Sequence, residues 1–202
     1  MEFRELTRVN RDQVFRQGWT YPHHIRARLA LVCRAWYTVL YNEPRVWTTM
    51  FLLDTLMARP EAVSLWIKNS KSMPLVVFIP DRFGLGRDKI FSMLRQEMWW
   101  IRCLFWDVFY ETDLVALFPL DVSTNAPMLR SLALLRTWST NNPGACKLGD
   151  IHCSELRTLF LWINGEMNSL SVRSLKNVHH LSIIHQDYRD DNGILQYLTQ
   201  AS

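Results

Sequence analysis

Two stretches decide how this chain is read: LRSLAL at Leu129–Leu134 and LRTLFL at Leu156–Leu161. Each places an apolar residue, skips two, then sets two more apolar residues on alternate positions. The same form recurs as IRCLFW at Ile101–Trp106 and VHHLSI at Val178–Ile183, so that the first positions are 28, 27 and 22 residues apart. The alternating pair reads as a short strand with one buried face. The apolar residue three positions earlier tucks the entering turn under the same core. One strand with its return cannot close a core alone, so neighbouring units must stack into a strip of parallel strands.

The intervals fall within the 20–29 residues of a leucine-rich repeat. Between segments the chain must come back, and three stretches are expected to return as helices: Thr112–Phe118, Glu166–Leu175 and the segment from Ile194 to Leu198. The Asn or Cys that often follows the repeat consensus is not regular, which makes the expected solenoid an irregular one. The outward positions between buried strand residues are the expected binding face: Phe105, Ala133, Phe160 and Ser182, with Arg130, Arg157 and Thr158 beside them. Solenoids need a terminal cap with a polar outer face. None is evident after Ile183, so the repeat region is expected to be truncated or frayed from there.

Upstream, residues 51–98 read as a connecting α/β segment. Pro60 suits the first helical position, and Val63, Trp66 and Ile67 share a face behind it. The run Leu75–Ile79, bounded by Pro74 and Pro80, is a strand candidate, and its prolines suit an edge or first strand. Asp88–Trp99 reads as a helix burying Ile90, Phe91, Leu94 and Met98. Gly84-x-Gly86 lacks both the third glycine of a dinucleotide fingerprint and the Gly-Lys-Ser/Thr of a P-loop, and is read as a turn.

The N-terminal block carries apolar residues at Ile25, Leu29, Val32, Trp36 and Val39 in steps of three and four. This predicts a helix. Glu43 precedes Pro44, so the helix should end near Tyr41 or Asn42. A turn is then expected to return Val46 and Trp47, leaving an indole at each end of a compact interior. Leu29, Val32, Cys33, Trp36, Pro44 and Trp47 together form Leu-x-x-Val-Cys-x-x-Trp followed by Pro-x-x-Trp. This resembles the later two-thirds of an F-box, over about 25 residues. Residues 2–26 depart from that family, with no Leu-Pro-x-Glu and no regular first helix. With the repeats, the pattern is similar to fungal F-box proteins that carry degenerate leucine-rich repeats.

The resemblance implies a division into an atypical segment (1–24), an F-box-like helical module (25–50), the connecting segment (51–98) and a repeat-like region (99–202). It implies the substrate-recognition subunit of a Skp–Cullin–F-box ubiquitin ligase. Leu29, Val32, Cys33, Trp36, Pro44 and Trp47 would then hold a Skp-type adaptor, and through it a cullin scaffold, while the repeats hold an unknown target protein. Such a subunit performs no bond chemistry; it raises the effective concentration of target lysines near a ligase. The alternative is a stand-alone leucine-rich module without adaptor contact.

Composition fits a folded binding protein. The chain has 202 residues, 49% apolar and 21% charged, with nine tryptophans, a balance that argues against disorder. Its formal charge is +4 with the basic residues dispersed, so no nucleic-acid partner is expected. No signal-peptide core and no apolar run of roughly 18–20 residues occurs. An intracellular site, cytoplasmic or nuclear, with free thiols is expected. Cys146, His152 and Cys153 lie close together but lack paired Cys-x-x-Cys spacing, so no metal or other cofactor is expected. No nucleophile elbow, His-Glu-x-x-His or interpretable carboxylate pair appears, so the expected reading is not an enzyme.

Overall fold

Alternating apolar residues need a covered face, and neighbouring copies of the same pattern pair side by side to join their apolar faces into one surface that other elements cover. A computed structural model describes residues 28–52, 59–79, 87–108, 111–138, 147–164, 169–172, 177–186 and 194–197. The chain divides into two compact units, Met1–Glu43 and Pro44–Ser202. The atypical 1–24 segment lies outside the described residues, as do the Gly84–Gly86 turn and Cys146.

The second unit is mixed α/β. Its larger sheet contains β1 (Thr49–Phe51), β2 (Leu75–Ile79), β3 (Ile101–Asp107), β5 (Ser131–Trp138), β7 (Thr158–Asn164), β9 (His180–Gln186) and β10 (Ile194–Tyr197), in that spatial order. The first six run parallel, and β10 closes the edge antiparallel to β9. A smaller parallel sheet holds β4 (Thr124–Asn125), β6 (Lys147–His152) and β8 (Ser169–Val172). From β4 to β9 the chain visits the two sheets alternately.

The four leucine-spaced segments fall on adjacent strands and in register. Leu104 faces Leu132, Leu132 faces Leu159, and Leu159 faces Leu181. One step on, Trp106, Leu134, Leu161 and Ile183 form a second row. Upstream strands extend both rows, with Met50 beside Val77 beside Leu104, and Ile79 beside Trp106. Apart from the half-buried Leu181 and Ile183, these residues are buried, as are the leading residues Ile101, Leu129, Leu156 and Val178. With a side-chain period of two, a slip of one residue would turn every leucine away from the covered face.

Helices α2 (Pro60–Ser70), α3 (Arg87–Gln96) and α4 (Glu111–Leu117) supply cover. Pro60 opens α2, with Glu61 in its first turn, where an acid complements the helix dipole. Val63, Trp66 and Ser70 are its buried positions. Phe91 of α3 meets Trp106 at 5.1 Å between ring centroids, and Phe118 lies 6.4 Å from the same indole. Ile90, Phe91, Leu94 and Met98 are all buried, as their spacing predicts, although the helix stops at Gln96 and a 3-10 turn carries Met98–Trp100.

Four expectations need correction. Of the three returns expected as helices, Thr112–Phe118 overlaps α4, but residues 169–172 form β8 and residues 194–197 form β10. Ser169-Leu-Ser-Val172 alternates polar and apolar, which suits a strand once β6 pairs with it. Strand β2 is not an edge, because Thr49–Phe51 pairs outside it. Pro74 lies before the ladder, so its missing N–H costs no bond. Strand pairing does not fray at Ile183, since β9 reaches Gln186 and Ile194 pairs there. The fourth concerns the first unit. Residues 28–30 are helical, but the expected helix is interrupted at residues 31–33, and α1 (Arg34–Asn42) begins only after Cys33, which is extended at φ −165° and ψ 167°. Leu29 lies in the helical residues before the break and Val32 in the turn that follows, where the Val32 N–H donates to the Leu29 carbonyl. At its other end α1 stops as expected, with Glu43 extended ahead of Pro44.

Candidate functional site

Two surfaces carry the candidate residues, one on each unit. On the first unit, α1 presents apolar side chains to solvent. Val32 is 64% exposed, Trp36 47% and Val39 58%, with Leu31, Cys33 and Tyr37 also exposed. Leu29 is half-buried, and Leu40 is the buried residue of α1. Tyr37 and Tyr41 stack at 4.3 Å. Burial, with Tyr37 alongside, pushes the Tyr41 phenol above its ordinary pKa. An indole and two β-branched or aliphatic chains left in water on one short segment cost hydration free energy, and such exposed patches mark contact sites. Trp36 is therefore not the interior anchor its spacing predicts. The break at Cys33 removes the continuous stripe on which that expectation stands.

On the second unit, Pro44 is half-buried and Trp47 is 8% exposed. Its indole meets Trp66 of α2 edge-on at 5.5 Å and 80°. Trp47 is thus a packing residue of the sheet-bearing unit.

The face of the larger sheet opposite the leucine rows carries the expected target positions in a single row. In register the row reads Phe51, Phe78, Phe105, Ala133, Phe160 and Ser182. Phe51 and Phe78 stack at 4.5 Å and 5°, and Phe78 and Phe105 at 4.6 Å and 7°. Parallel strands set identical residues about 4.8 Å apart, which is close to ring-stacking distance, so a run of phenylalanines becomes a ladder. Phe78, Phe105 and Ser182 are half-buried. Ala133 and Phe160 are buried rather than open. Ala133 is a methyl flanked by two rings, and Phe160 stands between the two smallest side chains of the row. Phe51 and Phe78 extend the row upstream of the leucine-spaced segments. The alternation in Leu75–Ile79 places Phe78 on this face, but only pairing with β3 shows that it continues the ladder.

Beside the row lie Cys103, Ser131 and Thr158, all half-buried and aligned. Burial raises the Cys103 thiol pKa, against smaller lowering effects from a hydrogen bond with Ser131 and from Arg102 and Arg130. Arg130 is half-buried, and its Nη2 lies 3.5 Å from Glu155 Oε2. Arg157 is exposed.

Of the residues considered for a metal, His152 is exposed and Cys153 is buried. Burial, then the Asp150 charge, pushes the Cys153 thiol up to about 11. A neutral, buried thiol is a poor ligand or nucleophile. Among the described residues no group of three or more His, Cys, Asp and Glu could hold a metal ion. Trp106 belongs to the core, whereas Trp99 is exposed and lies tilted at 36° against Trp100, 3.9 Å between ring centroids. No helix among the described residues is long and apolar enough to cross a membrane.

The chain matches no family model, no curated protein and no solved structure.

Proposed function

We propose that this chain is a protein-binding adaptor: the substrate-recognition subunit of a Skp–Cullin–F-box ubiquitin ligase, with an F-box-like N-terminal module and an irregular leucine-rich-repeat solenoid. The observation that carries the adaptor half is the exposure of Val32, Cys33 and Trp36, the motif residues of α1 and its approach, in water. The in-register rows of the four leucine-spaced strands support the repeat half. In this reading the Phe78–Phe105 side of the sheet takes the target, and no bond chemistry is performed. The site of action is intracellular, cytoplasmic or nuclear.

Mixing the full chain with a Skp-type adaptor at micromolar concentration tests this by co-elution. Trp36→Ala and Val32→Asp should each weaken association tenfold or more, since a central tryptophan typically carries about 2 kcal/mol or more of an interface. Both should leave thermal stability nearly unchanged, because both side chains are exposed. Trp47→Ala is not a clean probe, because it removes half of the Trp47–Trp66 contact. A second reading, a stand-alone repeat module, is favoured by the missing Leu-Pro-x-Glu opening in residues 2–26. Absence of co-elution for the unsubstituted chain selects it.

A further inference from the structure

We infer that Arg102, Arg130, Arg157 and His179 form a rail that binds the carboxylates of an extended acidic peptide, so that the target segment is one alternating acidic with apolar residues. This rests on reading the face of the sheet opposite the leucine rows as the target surface, and it names the chemistry of the target.

All four residues occupy the second position of the leucine-spaced unit, directly after Ile101, Leu129, Leu156 and Val178. Stacking the units therefore stacks the bases. The Arg130 N–H donates to the Arg102 carbonyl at 2.8 Å, the Arg157 N–H to the Arg130 carbonyl at 2.9 Å, and the His179 N–H to the Arg157 carbonyl at 2.9 Å. The backbones thus follow one another along the N-terminal edge of the sheet at strand spacing, about 4.8 Å. Arg102, Arg157 and His179 are exposed. Arg102 also sits at a register shift between β2 and β3, where Leu75 pairs with Ile101 and Val76 with Cys103. Such bulges re-aim a side chain.

Three guanidiniums in a row repel one another unless anions intervene. Among the described residues neither Arg102 nor Arg157 has an ion pair, and Arg130 has only the long, solvent-exposed contact with Glu155. A cleft of about 140 Å³ opens between Arg102 and Arg130, lined also by Pro74, Met128 and Glu155. Two guanidiniums beside Pro74 and Met128 suit a carboxylate on an aliphatic stem, which would take the place of Glu155 on Arg130. The half-buried row Cys103–Ser131–Thr158 separates the rail from Phe78 and Phe105. A peptide lying across the strands meets charge on one side and rings on the other. Nucleic acid fits less well. The net charge is only +4, Glu155 interrupts the rail, and Phe78 already stacks on both Phe51 and Phe105, so no gap admits a base.

The test is fluorescence anisotropy of the full chain with a labelled dodecapeptide alternating Glu with Leu and Phe, its Gln counterpart, and an oligothymidylate of matching charge. The Glu peptide should bind at least tenfold more tightly than the Gln peptide, with the difference shrinking in high salt. Each of Arg102→Gln, Arg130→Gln and Arg157→Gln should weaken the Glu peptide about twofold to fivefold, as exposed charge pairs do. The triple variant should bind it no better than the Gln peptide. Glu155→Gln should tighten binding by about twofold, a gain that unfolding cannot mimic. Equal binding of Glu and Gln peptides, an unaffected triple variant or tighter binding of the oligothymidylate overturns the inference. Adaptor co-elution measured on the same variants separates the two proposals. A rail that works without co-elution leaves a stand-alone module, and co-elution with an indifferent rail leaves the ligase reading standing and removes this one.

Discussion

Leu159→Ala is the substitution that bears hardest on the packing argument. Leu159 is fully buried in β7, and its row neighbours are Leu132 on β5 and Leu181 on β9. Both flanking strands hold the β7 backbone by parallel ladders, so the site has little freedom to collapse around a missing isobutyl group. Leucine-to-alanine changes in cores cost about 2–5 kcal/mol, rising with the cavity that remains. A site clamped on both sides belongs in the upper half of that range, about 3–4 kcal/mol. In urea, with a slope of roughly 2 kcal/mol/M, the unfolding midpoint should fall by roughly 1.5–2 M at unchanged slope. In a thermal scan the same loss is about 10 °C for a chain of this size. Arg157→Ala, on the same β7 approach but exposed, is the control and should cost no more than about 0.5 kcal/mol. If Leu159→Ala costs less than about 1 kcal/mol, or no more than the control, the leucine rows are not the core and the stacking account fails.

Three further outcomes are expected. Because burial raises the Cys103 and Cys153 pKa values, the latter to about 11, both stay as neutral thiols at pH 8. Iodoacetamide with mass mapping should therefore label exposed Cys33 well before either of them in the folded chain, and rapid native labelling of Cys153 would contradict its burial. The sign for stability follows. The folded state keeps a proton that the unfolded chain loses near 9, so Cys153 favours folding below that pH, and this contribution is lost as pH climbs through about 11. Lys71 closes α2 in the left-handed region at φ 47°. Lys71→Gly removes a penalty of about 1–2 kcal/mol and adds about 0.5–1 kcal/mol of unfolded-state entropy, for a net gain near 0.5 kcal/mol in urea unfolding. A loss would show that the lysine side chain holds the turn.

Much of the sheet is legible in the primary structure because strand registry is a local code. Ile101-x-x-Leu104-x-Trp106 and its three echoes state which residues face inward, and a one-residue slip between neighbours would turn them all outward. The helices α2 and α3 are legible for the same reason, through Pro60 and the spacing of Ile90, Phe91 and Leu94. Readings fail where a short segment satisfies two periods at once. Ser169–Val172 and Ile194–Tyr197 are too brief to choose between helix and strand, and pairing with β6 and β9 chooses for them. Thr49–Phe51, three residues long, becomes a strand only because β2 offers an edge.

The candidate surfaces divide the same way. That Leu29, Val32, Cys33, Trp36, Pro44 and Trp47 form a motif is a property of spacing alone. Spacing is silent on which of them face water, and the two tryptophans fall on opposite sides of that question. Trp36 stands exposed beyond the break at Cys33, whereas Trp47 is taken into the packing with Trp66. The continuation of the phenylalanine ladder to Phe51 and Phe78, and the alignment of Arg102, Arg130, Arg157 and His179, likewise join residues far apart along the chain. Local periodicity carries inside-versus-outside information for a single element. Which elements become neighbours depends on the free energy of burying their faces against one another, and that is decided only when the strands stack.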